Sequence, residues 1–307
     1  MKFGKLNHLQ NVDFRLPVDA ESTQLFLSQK LGTSTAPKLY IGCTGWSMKE
    51  WVGSVYPSDA KSKDYLKHYT RQFNTIELNT THYAIPSSDT VQKWYSESPS
   101  DFRFCPKIPQ SISHSRNLGL GTGQVPLFCE VIALLREKLG CCFIQLPPHF
   151  SLDKIELLTQ FLQGFPSEIP LAVEVRHSTW FETAAAREQF LALLQQYQRV
   201  AVITDVAGRR DVLHMGISAP QTMIRFVGNG LDKTDFERID EWAQRLKEWY
   251  DNGLESAYFF THEPDNILAP QLSAYLWQVS QIQLPHVRTR GPNISSNNNQ
   301  EGQLSLF

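Results

Sequence analysis

The segment LAVEVRH, Leu171 to His177, opens as a continuous apolar strand and ends in three charged or titratable groups, Glu174, Arg176 and His177. Apolar residues on both sides of a carboxylate mark a parallel strand covered on both faces, where a charge is costly unless it is paired or functional. The pattern recurs along the chain. β-type runs lie at 39–43, 75–79, 102–107, 141–146, 171–176, 200–205, 222–227 and 257–262. Between them are stretches of helical spacing with legible ends. Pro126 opens one and Gly140 closes it, Ser151 and Gly164 bracket another, and Thr234-x-x-Glu237 reads as a capping box ahead of Phe236, Ile239 and Trp242.

Strands alternating with helices in this number predict an α/β fold of the TIM type, a single-domain (β/α)8 barrel, because each parallel crossover needs a helix to cover the sheet. The weakest unit lies between Asp205 and Thr222, where helical periodicity is poor. An open doubly wound sheet is the competing fold. It would carry a GxGxxG phosphate turn after its first strand, and GCTGW at 42–46 lacks that spacing. The domain reading is an N-terminal extension over 1–38, the barrel over 39–287, and a polar, Asn/Ser-rich tail over 288–307 expected to be disordered.

A hydrophobic content of 41% provides for a large core, but no apolar run approaches the ~20 residues that span a bilayer, and the N-terminus lacks a signal-type run. A cytoplasmic protein without membrane contact is expected. Cys43, Cys105, Cys129, Cys141 and Cys142 form no CxxC pair, which argues against a disulfide framework or zinc ribbon. With a net charge of −2, any DNA affinity must come from a local basic groove.

Barrel enzymes place catalytic groups at the carboxyl ends of their strands, where the following loops share one cleft. Alternation puts Thr75, Glu77 and Asn79 on one face of the second strand, and Ala172, Glu174 and Arg176 on one face of the fifth. Lys107, Gln145, Asp205, Arg225 and His262 occupy comparable strand ends, with Tyr83, His114, His177 and Glu263 in adjoining loops. Burial and neighbouring charge can drive the acidities of two carboxylates apart, so Glu77, Glu174 and Lys107 are the catalytic candidates. Arg176, Arg225, His177, Gln145, Asn79, Tyr83, Trp46, Asp205 and His114 are the candidates for holding a small anionic or phosphate-bearing ligand. The bland alternative is a buried ionic network filling the upper barrel, or a site that binds without turnover. A Gly228-Asn229-Gly230 turn after the seventh strand is a weak phosphate signal. The cofactor is unknown; a divalent metal is not favoured, because no HxH or HExxH fixes two ligands and Lys107 and Arg176 would repel a cation. Cys43 reads as a core side chain before a nucleophile.

The segments IGCTGWSMKEWVGSVYP, FNTIELNTTHY, DFRFCPKIPQSISH, CCFIQLPPHF and LAVEVRHSTWF, with the strand holding Arg225, resemble the YecE-like family, barrel proteins defined by a domain of unknown function. The resemblance implies a barrel with a polar mouth and lends no activity. Where relatives show Arg-x-His-Gly, this chain has Arg225-Phe-Val227-Gly228, and Thr261-His262 stands in place of an Asn pair. The last five residues, Gln303, Leu304, Ser305, Leu306 and Phe307, resemble the peptide by which bacterial replication and repair proteins grip the DNA sliding clamp, with the apolar side chains as anchors. The expectation is an acid–base enzyme of hydrolase or lyase type on a phosphate-bearing substrate, brought to DNA by its tail. The alternative is a non-catalytic ligand-binding or clamp adaptor.

Overall fold

Each of the eight β-type runs forms a strand in the computed structural model, which describes residues 4–6, 8–29 and 36–294. They are β1 (Lys38–Gly42), β2 (Thr75–Leu78), β3 (Arg103–Pro106), β4 (Cys142–Gln145), β5 (Leu171–Glu174), β6 (Val200–Asp205), β7 (Gln221–Val227) and β8 (Ser256–His262). A further strand, β9 (Arg288–Arg290), pairs with β1 just past the barrel boundary read at 287, so this part of the polar tail is ordered by a strand ladder. Seven strands form a parallel sheet in the order β4-β5-β6-β7-β8-β1-β9, and β2 and β3 form a parallel pair. Backbone bonds link the two: Glu77 N–H donates to Cys43 O at 3.0 Å, and Ile108 N–H to Phe143 O at 2.8 Å. The Asn74 amide spans β1, accepting from Ile41 N–H and donating to Leu39 O. Gly42 permits the approach, since a Cβ there would lie 2.3 Å from Thr75 O.

The helices are α1 (Glu21–Ser28), α2 (Tyr65–Gln72), α3 (Ser88–Glu97), the short α4 (Gln110–Ser113), α5 (Gln124–Ala133), α6 (Ile155–Gly164), α7 (Ala184–Gln196), α8 (Lys233–Asp251) and α9 (Ala269–Gln283). The crossover from β6 to β7 holds only the 3-10 turn Arg210–Val212, and α1 from the N-terminal segment stands in for its helix. Glu21 N–H donates to Glu188 on α7, Asp19 takes Arg245 and Trp249 of α8 at 2.5 and 3.0 Å, and Thr23 bonds Met215 O and Ile217 N–H. The segment expected as an extension thus covers the unit whose helical periodicity was poor.

The start of α8 differs from the capping-box reading. Asp232 is the cap, accepting from Thr234 N–H at 2.9 Å, while Glu237 pairs with Lys233 at 2.9 Å. An ionised Asp oxygen two residues upstream outcompetes the Thr hydroxyl for the free amides. Among the described residues, no helix is long and apolar enough to cross a membrane.

On one face of these strands, Tyr40, Phe143, Met223, Tyr258 and Phe260 form a separate apolar cluster. Alternation carries the same strand faces upward from this floor to polar side chains. Phe143 leads to Gln145, Ala172 to Glu174, Val202 to Thr204, Met223 to Arg225 and Phe260 to His262.

Candidate functional site

Arg225 is fully buried at the centre of this upper layer. Its Nε and Nη2 donate to the two oxygens of Glu77, each at 2.8 Å, and its Nη1 donates to Glu174 Oε2 at 2.8 Å. Glu174 also accepts from Arg176 Nε at 2.8 Å, Gln145 Nε2 at 2.7 Å and Thr204 Oγ1 at 3.0 Å. Asn79 Nδ2 donates to Glu77 Oε1 at 2.9 Å, and His262 Nε2 lies 3.0 Å from Glu77 Oε2. Because an ionised carboxylate can only accept, that imidazole nitrogen carries the proton. Lys107 Nζ reaches the network by donating to Gln145 Oε1 at 2.9 Å. Below, the Phe143 ring faces the Arg225 guanidinium at 5.6 Å and Lys107 Nζ at 6.0 Å.

The electrostatics follow from these contacts. Burial would raise both carboxyls, but Arg225 and then His262 outweigh it at Glu77, holding it well below the usual range. At Glu174 burial is likewise overcome, by Arg176 and Arg225, which lower it to about 2. Burial, then the Arg225 charge, pulls Lys107 down to about 8. Burial and the charge of Lys107 lower His82 to about 4, with its Nδ1 lying 3.2 Å from Ile108 O. His82 was not singled out in the sequence, where it is one loop histidine among several.

Glu77, Glu174, Lys107, Arg176, Arg225, Gln145 and Asn79 are therefore brought together. Asp205 is not. Its side chain points away from this layer towards α8, taking Arg210, Trp242 Nε1 at 2.7 Å and Arg238 at 3.5 Å. Thr204, one residue earlier, takes the inward place, a parity that Val200 and Val202 already set. His177 is also turned away: its Nδ1 accepts from Thr179 N–H at 3.3 Å and caps the turn Ser178–Trp180. Trp46 packs edge-on against Trp94 at 5.8 Å, and Tyr83 is 76% exposed beside His82 at 5.6 Å. His114 lies 5.6 Å from His82 and opens onto a groove of about 520 Å³ shared with Arg116, His149 and Lys154.

The Gly228-Asn229-Gly230 turn has its amides filled from within. Gly230 N–H donates to Glu263 at 2.8 Å and Asn229 N–H to Asp235 at 2.8 Å, so the protein's own carboxylates sit where a phosphate would. Burial pushes Glu263 up to about 7 despite the Gly230 amide. Burial also pushes the Cys43 thiol up to about 12, as suits a core side chain. Among the described residues, no three His, Cys, Asp or Glu side chains converge as a metal-ligand set. Residues 303–307 lie outside the described residues.

Residues 40–296 match the family described as "Protein of unknown function DUF72". The chain belongs to this family. UPF0759 protein YecE of Escherichia coli (strain K12) is 32% identical over 267 residues, which cover 81% of this chain and 95% of that protein. UPF0759 protein YunF of Bacillus subtilis (strain 168) is 29% identical over 245 residues, 68% of this chain and 83% of that one. A crystal structure of a DUF72 family protein from Enterococcus faecalis V583 superposes with a TM-score of 0.66 at 18% identity, covering 79% of this chain and 95% of that one, a likeness of fold. Val227, where the resemblance implies a histidine, is the register partner of His262, so the adjacent strand delivers an imidazole to this layer.

Proposed function

We propose that the strands close into a (β/α)8 barrel whose mouth takes an anionic, phosphate-bearing substrate, with Lys107 as the group that exchanges a proton with it. Closure is supported by the Glu77–Cys43 and Ile108–Phe143 backbone bonds, which carry the ladder from β1 through β2 and β3 to β4. One observation carries the functional reading: Lys107 is a buried cation whose hydrogen bond goes to a neutral amide, while both nearby carboxylates are held by arginines. A buried charge without a counter-charge is costly, and an anionic ligand supplies one.

Glu77 and Glu174 act in this reading as fixed counter-charges. A carboxyl held near pKa 2 is too weak a base for proton abstraction at neutral pH, whereas an amine near 8 is matched to it. Arg176 and the groove beside His114 supply the approach for the anion. A reading as a non-catalytic binder is favoured by the completeness of the carboxylate hydrogen bonding, which leaves little to rearrange. The tail 303–307 joins the proposal on sequence alone, as a sliding-clamp peptide that would direct the mouth towards DNA.

The test is calorimetric titration of the full-length chain with inorganic phosphate near pH 8, in two buffers of different ionisation enthalpy. Binding should draw a proton onto Lys107, and Lys107→Met should abolish that uptake. Phosphate binding without proton uptake, or uptake that survives the substitution, refutes the assignment. Hydrolysis of p-nitrophenyl phosphate that is lost with Lys107→Met would separate an enzyme from a binder.

A further inference from the structure

The N-terminal end of the sheet, opposite the mouth, holds a second cavity of about 250 Å³. Lys38, Arg103, Arg288 and Arg290 line it, and Asp101 is the one carboxylate among its lining residues, which leaves a net of three positive charges (four less one) on a chain of net charge −2. Two of the cations face each other in the ladder: Lys38 on β1 is the register partner of Arg288 on β9, as Tyr40 is of Arg290. Alternation sends all four side chains to a common face. Like charges directly opposite destabilise a strand pair, so an anion bound between them would favour this pairing.

Asp101 does not provide it, because it is bound to Arg290 Nη2 at 3.1 Å. Arg290 Nη1 donates to Thr70 O at 2.9 Å, and Arg103 Nη1 to Ser100 O and Phe102 O. One lining group on this face remains without a partner among the described residues: Arg290 Nε is buried and unbonded. An unsatisfied buried donor is expensive, and one beside a cationic cavity describes an acceptor position that a ligand would fill.

We propose that this cavity is a binding site for a small, multiply charged phosphate anion of the diphosphate type. Guanidinium forks match phosphate oxygens in pairs, and Lys38 adds a point charge. The ligand would neutralise the Lys38–Arg288 repulsion and tie β9 to β1 and to the start of β3. The site shares no residue with the mouth and does not depend on the function proposed for it.

Calorimetric titration of the full-length chain with sodium diphosphate at physiological ionic strength tests this. Lys38 and Arg288 are exposed, so Lys38→Ala and Arg288→Ala should keep the fold, checked by circular dichroism. The expected result is a binding event that persists in Lys107→Met, where the mouth is impaired, and is weakened about tenfold when Lys38→Ala or Arg288→Ala is added to it. ADP run in parallel identifies the source of the group: binding as tight as diphosphate points to a nucleotide, and weaker binding to the free anion. Absence of diphosphate binding, or binding that ignores Arg288→Ala, overturns the proposal.

Discussion

Replacing Arg225 with methionine removes three hydrogen bonds at once, two to Glu77 and one to Glu174, each at 2.8 Å. Methionine keeps much of the length and apolar surface of the side chain, so the loss is electrostatic before it is steric. Glu77 would retain only Asn79 and His262 as hydrogen-bonding side chains at 0% exposure. Breaking a buried ion pair by removing one partner costs ~3–5 kcal/mol. Glu174 gives a second route to the magnitude: a carboxyl lowered from 4.5 to about 2 is worth on the order of 3 kcal/mol at neutral pH, shared between Arg176 and Arg225. The two agree in order, and about 4 kcal/mol is the expected loss at pH 7.

The sign of the pH dependence makes the test specific. In the wild type, depressed carboxyl acidities stabilise the fold above the ordinary value of 4.5, and that contribution is lost below it, as pH falls through the lower acidities of the folded state. In the variant, burial acts on Glu77 without its guanidinium, so folding favours the protonated acid and stability falls as pH rises past the same value. The difference between the two proteins should therefore be smaller at about pH 4 than at about pH 7. Urea unfolding followed by tryptophan fluorescence at both pH values measures it. A loss below about 1 kcal/mol at neutral pH, or one independent of pH, would refute the reasoning.

Three further outcomes are expected. Lys107, lowered to about 8, favours the unfolded state wherever that state is protonated and the fold is not, so wild-type stability should rise from pH 8 towards 10.5; equilibrium unfolding of Lys107→Met should lack that rise. All five cysteines are buried, and Cys43 sits near 12, so a disulfide reagent such as DTNB should titrate none of them in the native protein and all after unfolding; rapid native labelling would contradict the packing. Asp232→Ala should cost about 1 kcal/mol through the lost cap of α8, whereas Glu237→Ala, which removes an exposed pair with Lys233, should stay within about 0.5 kcal/mol in urea melts.

The strands were legible because each is a short apolar run buried on both faces, a local property of the chain. The inward direction of Glu77, Glu174 and Arg176 was legible for the same reason, since alternation within one strand fixes it. Asp205 was misplaced by reading position along the strand without its parity: Val200 and Val202 point into the interior, and Thr204 continues their face. What covers the β6–β7 crossover could not be read locally, because α1 comes from the opposite end of the sequence. The Gly228-Asn229-Gly230 turn carries the right residues for a phosphate, but Asp235 and Glu263 reach its amides from the following helix and the neighbouring strand's loop. Backbone donors advertise a site in sequence, and only tertiary packing tells whether it is already filled.

The charges of this buried layer form an uneven set: Glu77 and Glu174 face Arg176, Arg225 and Lys107, one cation in excess. That excess accounts for more than the lowered Lys107. After burial, the charge of Lys107 is the next cause lowering both His82 and His114, and Arg225 acts against the protonation of His262. Burial, with this field acting in the same direction, thus disfavours the charged form of His82 and His114. On the proposed function, one ligand of negative charge would oppose these shifts together, raising Lys107 and easing protonation of His82 and His114. Proton uptake on binding would then exceed what a single lysine can supply at lower pH, where the imidazoles begin to take part. A structural ion network predicts no such change, because its carboxylates are already saturated with donors and its acidities have no ligand to answer to.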